Sequence, residues 1–180
     1  STWGSVRFFA GALAFFPKAV SFACRMADAH VDHLHAHCAS HPAAVAWVVH
    51  RLSGIPYSFT AHGSDLHRDR HMLREKVTGA SFVVAISNYN REVILKECDA
   101  SARAKVAVIH CGVDISIFQP GPAGARGLGQ ERPFTILCIG TLHEVKGQTY
   151  LIEACAHLAA LGIPFACHFA GDGPDRPQLA

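Results

Sequence analysis

The sequence predicts an α/β fold of two parallel-sheet lobes, both incomplete, and three observations carry that prediction. Short apolar runs beginning at Val31, Tyr57, Phe82 and Val106 recur at intervals of 26, 25 and 24 residues, with helical patterns in the gaps. A hairpin needs only a few linking residues, whereas a crossover to a parallel neighbour needs a dozen or more with a helix on the sheet face, so the interval implies β-α-β units. Between Gln119 and Pro133 the composition turns abruptly to Pro, Gly, Ala and Arg without periodicity, which marks a linker. After it the strand, helix, strand pattern restarts at Phe134. The domain reading is therefore a first lobe over 1–118 with its start missing, a linker over 119–133, and the start of a truncated second lobe over 134–180.

Composition narrows the function classes. Hydrophobic residues make up 50% of the 180 and charged ones 17%, which excludes a disordered chain. A net charge of +2 with no run of Lys and Arg lacks the footprint of a nucleic-acid binder. Seven cysteines, an odd number with no close C-x-x-C pair, sit mostly inside apolar runs, as buried thiols do in a reducing compartment. The chain opens Ser1-Thr2-Trp3 with neither an initiator methionine nor a secretory cleavage pattern, and a fragment is the expectation.

Taken in order, Val6 to Ala29 reads as a helix that Pro17 kinks or splits. Its longest uncharged run, Phe8 to Pro17, is well short of the roughly 20 residues a membrane span needs. Arg7, Lys18 and Arg25 share one face with Gly11, Ala14 and Ser21, and Phe9, Leu13, Phe16, Val20 and Ala23 lie opposite. Such a helix either rests on anionic lipid or packs on a sheet. Strands follow at Val31 to Ala36, Tyr57 to Ala61, Phe82 to Ile86 and Val106 to Ile109, with helices at Ala43 to Leu52, Leu66 to Val77 and Asn88 to Glu97. The second lobe reads as strand Phe134 to Ile139, helix Gln148 to Leu161 stopped by Gly162, and strand Phe165 to Ala170. Its helix puts Leu151, Cys155 and Leu158 inward. Sheets of this kind bind ligands beyond the carboxyl ends of their strands. The turns to watch are thus His37 to His41, His62-Gly63-Ser64-Asp65, Ser87-Asn88, Cys111-Gly112-Val113-Asp114, the stretch from Gly140 to Gly147, and Gly171-Asp172-Gly173-Pro174.

Within those turns, Lys146 stands at the mouth of a helix, where the helix dipole repels a cation by a few tenths of a kcal/mol to about 1 kcal/mol. The arrangement becomes favourable when a phosphate sits between lysine and the free backbone N–H groups, so Lys146 is either a phosphate clamp or a solvated turn lysine. Thirteen histidines include the close set His33, His35, His37 and His41. The first three share a strand face, and a His-x-His pair can hold zinc, although no Asp or Cys stands out as a further ligand. His62 directly follows a strand beside Gly63, where an imidazole can donate to a sugar hydroxyl or a phosphate or serve only as a capped polar group. There is no G-x-S-x-G elbow, no G-x-G-x-x-G and no Walker loop.

Six stretches taken together resemble the retaining glycosyltransferases of family four, in the branch that builds bacterial exopolysaccharide and lipopolysaccharide. They are His35 to Pro42, Gly54 to Asp65, Val84 to Ser87, His110 to Asp114 with Phe118, Gly140 to Gly147, and Gly171 to Pro174. The resemblance implies two Rossmann-like lobes of the GT-B type and a nucleotide-sugar donor, UDP- or GDP-linked, held mainly by the second lobe. It also implies a glycan or lipid-linked acceptor on the first lobe, and transfer by front-face attack with retention of configuration. His62 would be the catalytic residue near the reacting carbon. Gly140, Thr141 and Lys146 would bind the donor diphosphate, Gly171 and Gly173 would lie by the nucleotide, and His37, Asp65 and Ser87 would serve the acceptor side. No metal or other cofactor is implied, since a lysine and a helix start offset the charge of the leaving diphosphate. The implied location is cytoplasmic, with peripheral contact to an anionic inner membrane face.

Two departures matter. Thr141 stands where most relatives carry arginine, which replaces a bidentate phosphate contact by at most one hydroxyl. The family's pair of glutamates is expected beyond Ala180, and the chain alone is expected to have little or no activity. The rival readings are a zinc-dependent hydrolase using the His33 to His41 cluster and a non-catalytic nucleotide-sugar-binding module.

Overall fold

The computed structural model describes residues 6–67, 70–121 and 134–179. They form two compact units divided between Phe118 and Gln119. Most of the linker reading, residues 122–133, lies outside the described residues.

The first unit is a four-stranded, all-parallel sheet in the order β1 (Leu34–His37), β2 (Tyr57–Ala61), β3 (Phe82–Ala85) and β4 (Val106–Val108). Each strand lies beside its sequence neighbour, so right-handed crossovers all fall on one face. The crossovers are α2 (His41–Ser53), the pair α3 (Gly63–His67) and α4 (Leu73–Gly79), and α5 (Asn88–Glu97). The face they cover is the core: Ala36, Tyr57, Phe59, Ala61, Val83, Ala85 and Val106 pack with Leu66, Leu73, Val77, Val93 and Ile94. By the two-residue alternation of strands, the opposite face carries Ser58, Thr60 and Phe82 beside the exposed His35 and His37.

Four expectations for this unit need correction. The helix α1 (Val6–Asp28) runs on through Pro17 instead of splitting there. Pro17 and Leu13, whose carbonyl loses its helical donor, are both exposed, so water can reach the freed oxygen. Nor does the helix bury the side opposite its charges. Leu13 and Phe16 are 60% and 53% exposed, whereas Gly11, Phe15, Ala19 and Ala23 form the covered stripe. Small residues four apart let the helix come close: a Cβ on Gly11 would lie 3.0 Å from His41 Nε2, and Phe15 meets the His41 ring at 5.1 Å. The first strand begins at Leu34 and not Val31, because His30 takes a left-handed φ of 51° and Val31 N–H bonds Met26 O, closing the helix as a Schellman-type cap. The helix expected over Leu66 to Val77 is two helices, the second opening at Met72 with φ 55°; residues 68–69 within it lie outside the described residues.

The second unit pairs β5 (Phe134–Ile139) with β6 (Phe165–Ala170) in parallel, joined by α6 (Gln148–Ala160) and followed by the short α7 (Arg176–Leu179). Leu151, Cys155 and Leu158 are the half-buried positions of α6, as its period predicts. Among the described residues of this unit only Leu142 and Gln148 are buried, so its inner layer is thin. No described helix is long and apolar enough to cross a membrane.

Candidate functional site

Parallel pairing of β1 with β2 brings their carboxyl ends side by side, His37 opposite Thr60 and His62 just beyond. The two imidazoles meet: His37 Nε2 and His62 Nε2 are 2.9 Å apart, with ring centroids at 4.5 Å and planes at 51°. Further down the same face, the buried Ser58 hydroxyl lies 2.7 Å from both His33 Nε2 and His35 Nδ1, and His35 Nε2 is 3.0 Å from Thr60 Oγ1. Phe82 stacks on His33 at 5.7 Å. Burial lowers the pKa of His35, and the neighbouring His33 and His37 lower it further, which favours the neutral imidazole between its two hydroxyls.

The loop between β1 and α2 is clamped from both sides. Cys38 sits at φ 87°, a conformation side chains rarely adopt, which persists only when surroundings enforce it. Cys38 N–H donates to Thr60 O at 3.0 Å. Asp65 Oδ2 accepts from the backbone N–H of Ala39 at 2.8 Å and of His62 at 3.1 Å, tying the loops after β1 and β2 to one atom. Lys76, 1% exposed, reaches the same loop from below and donates from Nζ to Ala39 O at 2.5 Å. Desolvation raises the Cys38 thiol pKa, and the adjacent Asp65 carboxylate adds to it. Asp65 is itself only 8% exposed, so it acts on backbone amides within the fold. Ser87 is likewise engaged, capping α5 by accepting from Asn90 N–H at 3.1 Å.

In the second unit the turns after β5 and β6 are zipped together by backbone. Gly140 N–H donates to Ala170 O at 3.1 Å, Leu142 N–H to Asp172 O at 3.0 Å, and Asp175 N–H to Leu142 O at 3.1 Å. A Cβ on Gly171 would overlap Gly140 O, and one on Gly173 would overlap Leu142 O. Both glycines are therefore required by the neighbouring turn before any ligand is considered. Thr141 is exposed, and its carbonyl accepts from the buried Gln148 Nε2 at 2.8 Å. Lys146 ends a 3₁₀ turn (Glu144–Lys146), is exposed, and is followed by Gly147 at φ 71°, which starts α6.

The structure thus brings His37, His62 and Asp65 together in one unit, and Gly140, Thr141, Gly171 and Gly173 together in the other, with Lys146 exposed on the turn that leads into α6. Among the described residues, no three His, Cys, Asp or Glu side chains are grouped so as to hold a metal ion. Lys76 and Gln148 went unread in the sequence. The signal for Lys76 was its place three residues after Leu73 and next to Val77 in an apolar helical pattern, where a lysine on the inner face needs a carbonyl to bind.

Comparison with known proteins adds a second line. The model of the family described as Glycosyltransferase Family 4 matches residues 4–117. Bacillus subtilis TuaC, named as a teichuronic acid biosynthesis glycosyltransferase, is 29% identical over 175 residues, 90% of this chain and 43% of that protein. The 2-deoxystreptamine glucosyltransferase of Streptomyces kanamyceticus is 28% identical over 152 residues, 73% of this chain and 39% of that protein. Escherichia coli WcaL, named as a colanic acid biosynthesis glycosyltransferase, is 38% identical over 77 residues, 43% of this chain and 18% of that protein. The chain spans less than half the length of each of these relatives.

Proposed function

The chain belongs to glycosyltransferase family 4, and from that premise we propose that the whole protein moves a sugar from a nucleotide-sugar donor to a glycan or lipid-linked acceptor in cell-surface polysaccharide synthesis. The observation that carries this reading is the likeness to TuaC, which runs over 175 residues and so spans both units, the paired histidines as well as the lysine turn. Transfer proceeds with retention of configuration. His62 meets the transferred sugar; Gly140, Thr141 and Lys146 receive the donor diphosphate; Gly171 and Gly173 lie by the nucleotide.

On the acceptor side His37 is exposed to solvent, while Asp65 and Ser87 act through the loops they hold. Lys146 and the first N–H groups of α6 offset the charge that builds on a departing nucleoside diphosphate, so no metal ion is needed. UDP- and GDP-sugars both fit this chemistry. The protein works in the cytoplasm and touches the inner membrane face through the exposed Leu13, Phe16 and Val20 of α1.

The test is titration of the full-length protein with UDP and GDP, repeated with Lys146→Ala. Loss of binding by more than about tenfold, roughly 1.4 kcal/mol, is the expected result. Unchanged affinity for both nucleotides would sink the diphosphate assignment.

A further inference from the structure

We propose that His37 is a positioning residue that sets the tautomer and ring orientation of His62, leaving His62 Nδ1–H as the group that donates to the substrate. The inference rests on the reading of His62 as the residue that meets the transferred sugar, and it says which atom does so. The two Nε2 atoms are 2.9 Å apart, and one proton alone can lie between them. If His37 donates from Nε2, His62 accepts at Nε2 and must carry its own proton on Nδ1. No described group partners that Nδ1, and sugar hydroxyls and diphosphates offer oxygen acceptors.

The opposite polarity would leave a lone pair on His62 Nδ1 to face a substrate rich in oxygen lone pairs. His37 is well placed to impose the choice. Its backbone lies in the β1–β2 ladder, and the Asp65 clamp on His62 N–H holds the second ring's backbone in register. The titratable groups nearby are His35 and His33 on the same strand face, Cys38 in the following loop, and Asp65, whose Oδ2 is turned to amides. Free imidazoles favour the Nε2–H form, so His62 held as Nδ1–H is a distinctive signature.

Long-range ¹⁵N–¹H spectra of the histidine-labelled chain test the pair directly. The expected result is His62 as the Nδ1–H tautomer, reverting to Nε2–H in His37→Ala and restored in His37→Gln, whose amide also donates. His62 found as Nε2–H in the unaltered chain would overturn the proposal. In the full-length protein, His37→Ala should lower kcat by about tenfold or more with donor KM changed less than about twofold, and His37→Gln should recover most of the loss. Equal kcat in the alanine and unaltered forms would likewise overturn it. Transfer at the unaltered rate by His62→Ala would remove the underlying reading of His62, while the spectra would still decide the tautomer on their own.

Discussion

The two units solve the same problem of holding a loop in opposite ways. In the first, Tyr57 and Phe59 of β2 are wholly buried; in the second, Phe134, Leu137 and Ile139 of β5 are 69%, 59% and 75% exposed. A four-stranded sheet with helices on one face can anchor side chains deeply enough to grip a neighbouring loop, as Asp65 and Lys76 do. Among the described residues of the second unit, two strands and a helix bury only Leu142 and Gln148. There the turns are held by backbone bonds between them, and the glycines at Gly171 and Gly173 keep the gap closed. The lesson is one of sensitivity: removing atoms should damage the first unit, and adding atoms should damage the second.

Segment-resolved hydrogen exchange combined with urea unfolding can break or sharpen that contrast. Phe59→Ala should cost the first unit about 3–5 kcal/mol and leave exchange in residues 134–179 unchanged. A matching loss in both units would mean they unfold together, and the comparison would fail. Asp65→Ala leaves two loop amides without their acceptor and should cost about 1.5–3 kcal/mol, with faster exchange at Ala39 and His62 specifically. Gly171→Ala should cost the second unit about 1–3 kcal/mol through overpacking against Gly140, with no change at β2. If it is silent, the turns are not held by close approach. Ser87→Ala, which only uncaps α5, should cost about 1 kcal/mol.

A separate effect is one of pH. Burial pushes the Cys98 thiol up from 9.0 to about 11. The unfolded chain ionises first, so the stability this thiol contributes is complete below about pH 9 and is lost as pH rises towards about 11. The loss should shrink in Cys98→Ala, with the raised Cys38 thiol and the buried Tyr57 phenol supplying part of what remains; an unchanged slope would assign it elsewhere.

How much of this was legible in the sequence depends on the range of the interaction. The β-α-β interval and the period of α6 are local, and apart from the start of β1 the strands and half-buried positions fall where they predict. The inner side of α1 was not legible, because Gly11 and Ala19 count for little in an apolar pattern, and Gly11 matters only through its close approach to His41 on α2. The split of the third helix turned on the backbone of Met72, which no side-chain pattern encodes. In the site, His37 and His62 were found as single residues from their strand ends. Their pairing, and the turning of Asp65 onto amides 26 and 3 residues away, needed the register of β1 against β2. Gly171 and Gly173 were noticed for the right residue type, and the neighbouring turn supplies a reason for them that the sequence hid.

The shared oxygen of Asp65 also has a consequence for anyone recombining such enzymes. Because one atom fixes both the start of α2 and the backbone at His62, the two loops form a single module of exchange. A chimera that imports the loop after β1 from another protein inherits a working geometry only if the recipient keeps the aspartate, and one that imports both loops together has to be cut outside them, before β1 and after α3, since a cut in α2 or β2 separates the two.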